Sequence, residues 1–267
     1  MFQKRNLFLL LRKIFSIKIW IITIGIVFLA ILETSFFPII FFNKAEVNIM
    51  LVLVVVLTVV FSTLFRFDIP NYPVYLLSGQ LIYSFFSEAT SMAMTSIINS
   101  APLIKKVYIP KYIFPVARVI SAFVTLAFSL LAMVIVMVAT QVKFTWTILL
   151  FPIPLLYILL FSIGMGLILS VVAVYFRDTL HLYSVLLSAW MYFTPIIYPM
   201  SMVPAHVQQF ILLNPMYYFV EVFRQIVLYG QQPSIEMHLI CIGNVLLVLS
   251  AGLFIFYKNQ KNFILYV

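Results

Sequence analysis

The chain has 267 residues, of which 65% are hydrophobic and 9% charged, about a third of the charged share of an ordinary globular domain. A soluble fold of this length cannot hide that much apolar surface. A bilayer can, provided that backbone polar groups bond internally in helices or a closed barrel. The apolar runs extend to about twenty residues without strict alternation, which selects helices over a barrel. A formal charge of +9, from 16 Lys and Arg against 7 Asp and Glu, would point to nucleic acid on a soluble domain. Here the basic residues stand at the ends of apolar segments, where membrane topology accounts for them. The expectation is an all-α integral membrane protein with no nucleic-acid partner.

In chain order, residues 1–18 set Lys4, Arg5, Arg12, Lys13 and Lys18 among Leu, Phe and Ile, the composition of an amphipathic helix on an anionic membrane face. No small-residue cleavage pattern follows, so a removable signal peptide is not expected. An apolar run at 19–42 is interrupted by Glu33 and Pro38, and a polar break follows at Asn43, Lys44 and Glu46. A cleaner run covers 49–65, closed by the turn-like Arg66-Phe-Asp-Ile-Pro-Asn-Tyr-Pro73. Runs at 74–98, 116–140, 147–174, 182–199 and 238–257 follow. The stretch 200–236 is apolar but broken, with Asn214 and Pro215 reading as N-cap and first helical residue and Gly230 as a C-terminal stop. About 15 residues at 1.5 Å each reach roughly 22 Å, short of the roughly 30 Å hydrocarbon core. Short re-entrant helices on the extracellular side are expected there, with Pro204, Pro215 and a Glu221/Arg224 pair at i,i+3 shaping them.

Hydropathy alone gives seven candidate spans. Seven would place the basic N- and C-termini on opposite sides, whereas six, with 19–42 not crossing independently, places both inside. Six spans leave thirteen basic residues cytoplasmic and only Arg66, Lys143 and Arg224 outside, a strong positive-inside bias. The expected organisation is an interfacial region at 1–48 and a single transmembrane domain of six helices at 49–267, with both termini cytoplasmic.

The loop after the second of these spans reads Ala-Pro-Leu-Ile-Lys-Lys-Val-Tyr-Ile-Pro-Lys-Tyr-Ile-Phe-Pro-Val-Ala-Arg at 101–118. Prolines 102, 110 and 115 confine any helix within it to one or two turns. From spacing alone it is equally a plain basic loop and a docking element. The segment "LIKKVYIPK" resembles the first cytoplasmic loop of type-2 ABC transporter permeases that export polysaccharides and teichoic acids. Further stretches resemble that family in the same order: "VVFSTLFR" (59–66), "YPVYLLSGQLIYSFFSEAT" (72–90), "VYFRD" (174–178), "YFTPIIYP" (192–199) and "LNPMYYFVEVFRQIVLYG" (213–230). The likeness covers about 50–265. It departs at 19–48, where the family's Arg-Tyr and Leu-Gly-x-x-Trp pattern is missing.

The resemblance implies a multi-pass permease in the bacterial plasma membrane, acting as a homodimer on a separate ATPase subunit. The cargo it implies is an undecaprenyl-diphosphate-linked polymer, teichoic acid first and O-antigen or capsular polysaccharide second. The residues agree with that division of labour. A phosphate-cradling loop needs G-x-x-x-x-G-K-[ST], and none of the seven glycines is followed by Lys. The chain is therefore expected to have no catalytic site and no cofactor of its own, with ATP and Mg bound by the partner.

The resemblance makes 101–110 the coupling segment and 175–181 a second cytoplasmic contact. The coupling residues would be Leu103, Ile104, Lys105, Lys106, Val107, Tyr108 and Lys111, with Arg177 and Asp178. Leu103, Ile104 and Tyr108 offer an apolar edge with the dilysine at its rim, while Arg177 and Asp178 serve equally as a local pair or helix cap.

Glu88 falls near the middle of a span, where an ionisable group is expected to face a polar cavity or partner, either for translocation or for a hydrogen bond to a neighbouring helix. Tyr83, Phe85, Phe86, Trp190, Tyr192 and Phe193 are interfacial or packing rings, or else surfaces on which sugars stack along a path. Gly164 and Gly166 are expected to let helices approach. His181, His206 and His238 lack ligand spacing, so no metal site is expected, and Cys241 in its apolar run is read as packing. An ion-coupled flippase is the weaker alternative, since such carriers commonly place several ionisable groups near midplane and this chain offers few beyond Glu88. A polyprenyl-phosphate enzyme would need acidic or basic clusters, which the sequence does not show.

Overall fold

The computed structural model describes residues 69, 71–106, 110–142 and 144–266. The basic segment 1–18, the run 19–42 with Glu33, the run 49–65, and Val107 and Tyr108 of the loop lie outside the described residues. Among the described residues the secondary structure is entirely helical. The helices are α1 (Tyr72–Asn99), α2 (Ala101–Ile104), α3 (Ile113–Ala139), α4 (Pro152–Tyr175), α5 (Thr179–Phe193), α6 (Ala205–Ile211), α7 (Pro215–Val227), α8 (Ile235–Asn259) and α9 (Phe263–Tyr266). Short 3₁₀ turns lie at Trp146–Leu150 and Met200–Met202.

Three of these stretches are long and apolar enough to cross a membrane: Ile113–Ala139, Trp146–Tyr175 and Ile235–Asn259. Helix α1 matches them in length with 28 residues. It is not among them because one face carries Gln80, Ser84, Ser87, Glu88, Ser91 and Thr95 at helical spacing. The apolar side of α1 supplies the centre of the bundle. It packs against both α3 and α4, and α4 in turn packs along α8.

Two close approaches hold these helices together. A Cβ added to Gly164 would sit 2.8 Å from the Leu249 backbone, and one on Gly166 would sit 2.7 Å from Ala93 Cβ. The small residues of α4 thus let α8 and α1 come within reach of its backbone, as their sequence positions led us to expect.

The expected run at 182–199 differs in the structure. Helix α5 starts earlier and stops at Phe193, and residues 194–199 leave the helix. Its 15 residues rise about 22 Å. Pro195 cannot donate a backbone hydrogen bond, and the carbonyls beyond it find partners outside α5, as described below.

The stretch 200–230 does form short helices. Asn214 caps α7 by accepting a hydrogen bond from the Met216 N–H at 3.0 Å, with Pro215 in the first turn. The chain turns away at Gly230, whose φ of +61° favours glycine.

Candidate functional site

The two ends of the bundle are chemically unlike. At one end, the close of α1, helix α2, the start of α3 and the ends of α4 and α8 meet around an apolar cluster. Its buried members are Ile97, Ile104, Leu167, Val171, Val174, Phe256 and Phe263. Around this cluster stand Lys105, Lys106, Lys111, Arg118, Arg177, Lys258 and Lys261, with Asp178 the one acidic residue among those described at this end. The charge reads outward: Lys105, Lys106, Arg177 and Asp178 are all exposed.

Within the expected coupling segment, the one-turn helix α2 divides its residues between two faces. Leu103 is 45% exposed, whereas Ile104 is only 8% exposed and belongs to the apolar cluster. The expectation that Leu103 and Ile104 share one outward edge is therefore corrected. Neighbouring helical residues point about 100° apart, and here Ile104 turns inward and holds the loop onto the bundle.

Lys111 is likewise engaged inside. Its ammonium donates to the Gln260 carbonyl at 2.6 Å and sits 5.9 Å above the Phe263 ring. Burial pulls its pKa below the ordinary lysine value. Asp178, at the start of α5, accepts from the His181 and Leu182 N–H groups through its backbone carbonyl; its side chain makes no cap.

The opposite end buries a cation. Arg224 of α7 is enclosed, and its guanidinium donates to the carbonyls of Pro195 (2.7 Å), Ile196 (2.9 Å) and Tyr75 (3.2 Å). Its Nε reaches the Ser78 hydroxyl at 3.4 Å, and the cation lies 3.5 Å from the Tyr75 ring centroid. The nearby Glu221 carboxylate favours the cation electrostatically, while the guanidinium donors go to the backbone of two other segments and to Ser78.

Tyr72 and Tyr75 reinforce the same place by donating to the carbonyls of Ile197 and Tyr198, each at 3.0 Å. Non-helical backbone at 195–198 needs such donors, because a buried carbonyl without a partner is costly. Nearby, Asn214 accepts from the Trp190 indole at 2.8 Å and donates to Thr194 at 2.9 Å, tying α7 to the end of α5.

The aromatic residues considered for a path separate by burial. Tyr83, Phe85 and Phe86 are buried. The Tyr83 hydroxyl donates to the Leu187 carbonyl, Phe85 meets Phe123 edge-on, and Phe86 contacts both Phe161 and Trp190. These rings pack α1 against its neighbours. Tyr192 and Phe193 remain exposed, at 69% and 42%, and Glu88 is half-buried on the polar face of α1. Among the described residues no group of three His, Cys, Asp or Glu side chains comes together to hold a metal.

The sequence named Arg224 but not its partners. Signals for them were present: a lone arginine in an apolar helix, a proline just after a helix-length run, and Gly79 within α1. A Cβ on Gly79 would sit 2.7 Å from the Arg224 guanidinium, which would then have to shift.

Comparison with known proteins bears on the whole arrangement. Residues 2–228 match the ABC-2 type transporter family. The chain is 31% identical over 203 residues to the O-antigen export system permease protein RfbA of Myxococcus xanthus, covering 74% of this chain and 78% of that protein. It is 25% identical over 210 residues to the O-antigen export system permease protein RfbA of Klebsiella pneumoniae, covering 76% and 79%. A match over most of its length, on a bundle of membrane-length apolar helices, makes this chain a multi-pass membrane protein belonging to the ABC-2 type transporter family.

Proposed function

We propose that the chain is the membrane-spanning permease subunit of an ATP-driven exporter of a lipid-linked cell-surface polysaccharide. The observation that carries this reading is the 31% identity with an O-antigen export permease across three quarters of the chain. That likeness favours an O-antigen type of polymer over the teichoic acid expected first, since both relatives are named for O-antigen export. A separate subunit binds ATP and Mg, and two copies of the permease form the exporter in the inner membrane.

The end with exposed Leu103, Lys105, Lys106, Arg177 and Asp178 is the cytoplasmic, ATPase-facing side. Its excess of basic residues supports this orientation, as does the supply of loops from several helices to one face. In a six-span topology both termini are cytoplasmic, and α6 and α7, with Pro215, Glu221 and Arg224, re-enter from the extracellular side. Tyr192 and Phe193, both exposed, are path-lining candidates, and Glu88 on the polar face of α1 is a third.

Purification of the tagged permease from its own membranes tests the reading. An ATPase should co-purify, ATP hydrolysis should require it, and loss of the permease should trap the lipid-linked glycan inside the cell. Recovery of a phosphate-rich polyol polymer in its place would restore teichoic acid as the cargo. The absence of any associated ATPase would overturn the proposal. For topology, an impermeant thiol reagent should label Phe144→Cys and Ala205→Cys in whole cells and leave Gln260→Cys unlabelled.

A further inference from the structure

The C-terminal tail and the basic loop meet in a way that neither cargo nor ATPase docking explains. Residues 101–112 and 259–266 are about 150 positions apart in the chain, yet a shared apolar cluster and the Lys111 side chain join them. Phe263 is fully buried in the cluster that also holds Ile104 of α2 and Phe256 of α8, and its ring meets Phe256 edge-on at 5.3 Å. Lys111 donates to the Gln260 carbonyl at 2.6 Å and lies over the Phe263 ring.

The tail is itself held to α4. Tyr175 donates to the Asn259 side chain at 3.3 Å and stacks edge-on with Tyr266 at 4.8 Å. The carbonyl that Lys111 uses lies just past the last turn of α8, where helix carbonyls lack intrahelical partners and a cation is favoured. Among its described residues the loop holds one helical turn, Ala101–Ile104, too little to be rigid alone.

From these contacts we infer that the tail Asn259–Tyr266 is a brace that positions the basic loop, with Phe263 and Lys111 as its positioning residues. The role of the loop as the ATPase-facing element rests on the function proposed above. The brace fixes the exposed side, Leu103 with Lys105 and Lys106, by holding the opposite side, Ile104. It also links that surface directly to α8, so a push on the loop is delivered to a long membrane helix as well as to α1 and α3.

Two variants test the brace in the purified permease alone. Lys111→Met keeps the stem and removes the hydrogen bond, and Phe263→Ala removes the ring, with Phe263→Leu as its conservative counterpart. Limited trypsin digestion reads cleavage after Lys105 and Lys106, which follows the open population of the loop. Loss of one charge-assisted hydrogen bond should speed cleavage about tenfold in Lys111→Met. Phe263→Ala should do the same and Phe263→Leu should restore protection, all without change in cleavage at the other end of the bundle. Wild-type cleavage rates in Lys111→Met overturn the brace, even if Phe263→Ala fails to fold.

Capture of the ATPase by the full complex separates this claim from the docking claim. Leu103→Asp should reduce capture and leave trypsin protection intact, while Lys111→Met should change both. If Leu103→Asp binds the ATPase normally, the docking assignment fails, and the brace is judged on the cleavage rates alone.

Discussion

The two ends of this bundle use positive charge in opposite ways. At the end carrying the basic loop, Lys105, Lys106 and Arg177 stand in solvent and contribute little to holding the fold together. At the other end Arg224 is fully enclosed and bonded to carbonyls of three residues in two separate segments. An exposed cation keeps its hydration and is free to meet a partner. A buried one must be satisfied by its surroundings, and here it satisfies in return backbone that has left its helix. The difference teaches where substitutions should harm folding and where they should harm only function.

Arg224→Ala should have the largest effect on stability. It strips the Ile196 carbonyl of its guanidinium donor and leaves the Pro195 carbonyl with only the long bond from the Tyr75 hydroxyl, and a buried unpaired group costs about 1–3 kcal/mol. It also removes the cation from the Tyr75 face. We expect a total of about 3–5 kcal/mol, read as a large fall in melting temperature in detergent and in membrane-inserted protein. Arg224→Lys should recover only part of this, because one ammonium cannot span the carbonyls that the planar guanidinium bridges. A small loss in Arg224→Ala would remove the contrast between the two ends.

Gly79→Ala sharpens the comparison on the partner side of the same contact. The new Cβ would fall 2.7 Å from the guanidinium and 3.1 Å from Ile196 Cγ2, so the clip must loosen without loss of any polar group. A cost of about 1–3 kcal/mol is expected for such overpacking. Gly243→Ala in α8 is the control, since a Cβ there meets nothing within 4 Å. It should be neutral or slightly stabilising, because alanine is the better helix former. Equal behaviour of the two variants would show that proximity to Arg224 does not set the cost.

Much of this arrangement was legible in the sequence because it is local. The apolar runs located α1, α3, α4 and α8, and the Asn214-Pro215 pair located the start of α7. Prolines limited any loop helix to one or two turns, and the described part holds one, Ala101–Ile104. What was not legible depended on distant partners. Hydropathy carries the segment at 194–199 on as part of an apolar run, because it does not register that Tyr72, Tyr75 and Arg224 supply donors that let the backbone leave the helix. Ile104 and Leu103 are alike in hydropathy, and only the cluster formed by α4, α8 and Phe263 decides which one turns inward. Lys111 counted with the loop's charges until its bond to Gln260 set it apart.

The smallest stability effect, and the one on which the comparison turns, belongs to the exposed dilysine. Lys105→Ala with Lys106→Ala removes two charges from a surface where neither side chain is buried, so stability should change by no more than about 0.5 kcal/mol. Function should respond differently. If this end meets the ATPase, the lysines lie at the rim of that contact, where charges govern orientation and encounter more than affinity. The double variant should associate more slowly with the ATPase, and the difference from wild type should shrink as salt rises, since exposed charges are screened beyond about 10 Å at 0.1 M. Association kinetics at several ionic strengths, beside melting curves of the same preparations, provide the check. A double variant that melts early would make the lysines structural, like Arg224. A variant that melts normally and associates at the wild-type rate at all salt concentrations would leave the basic end as an ordinary topological signal.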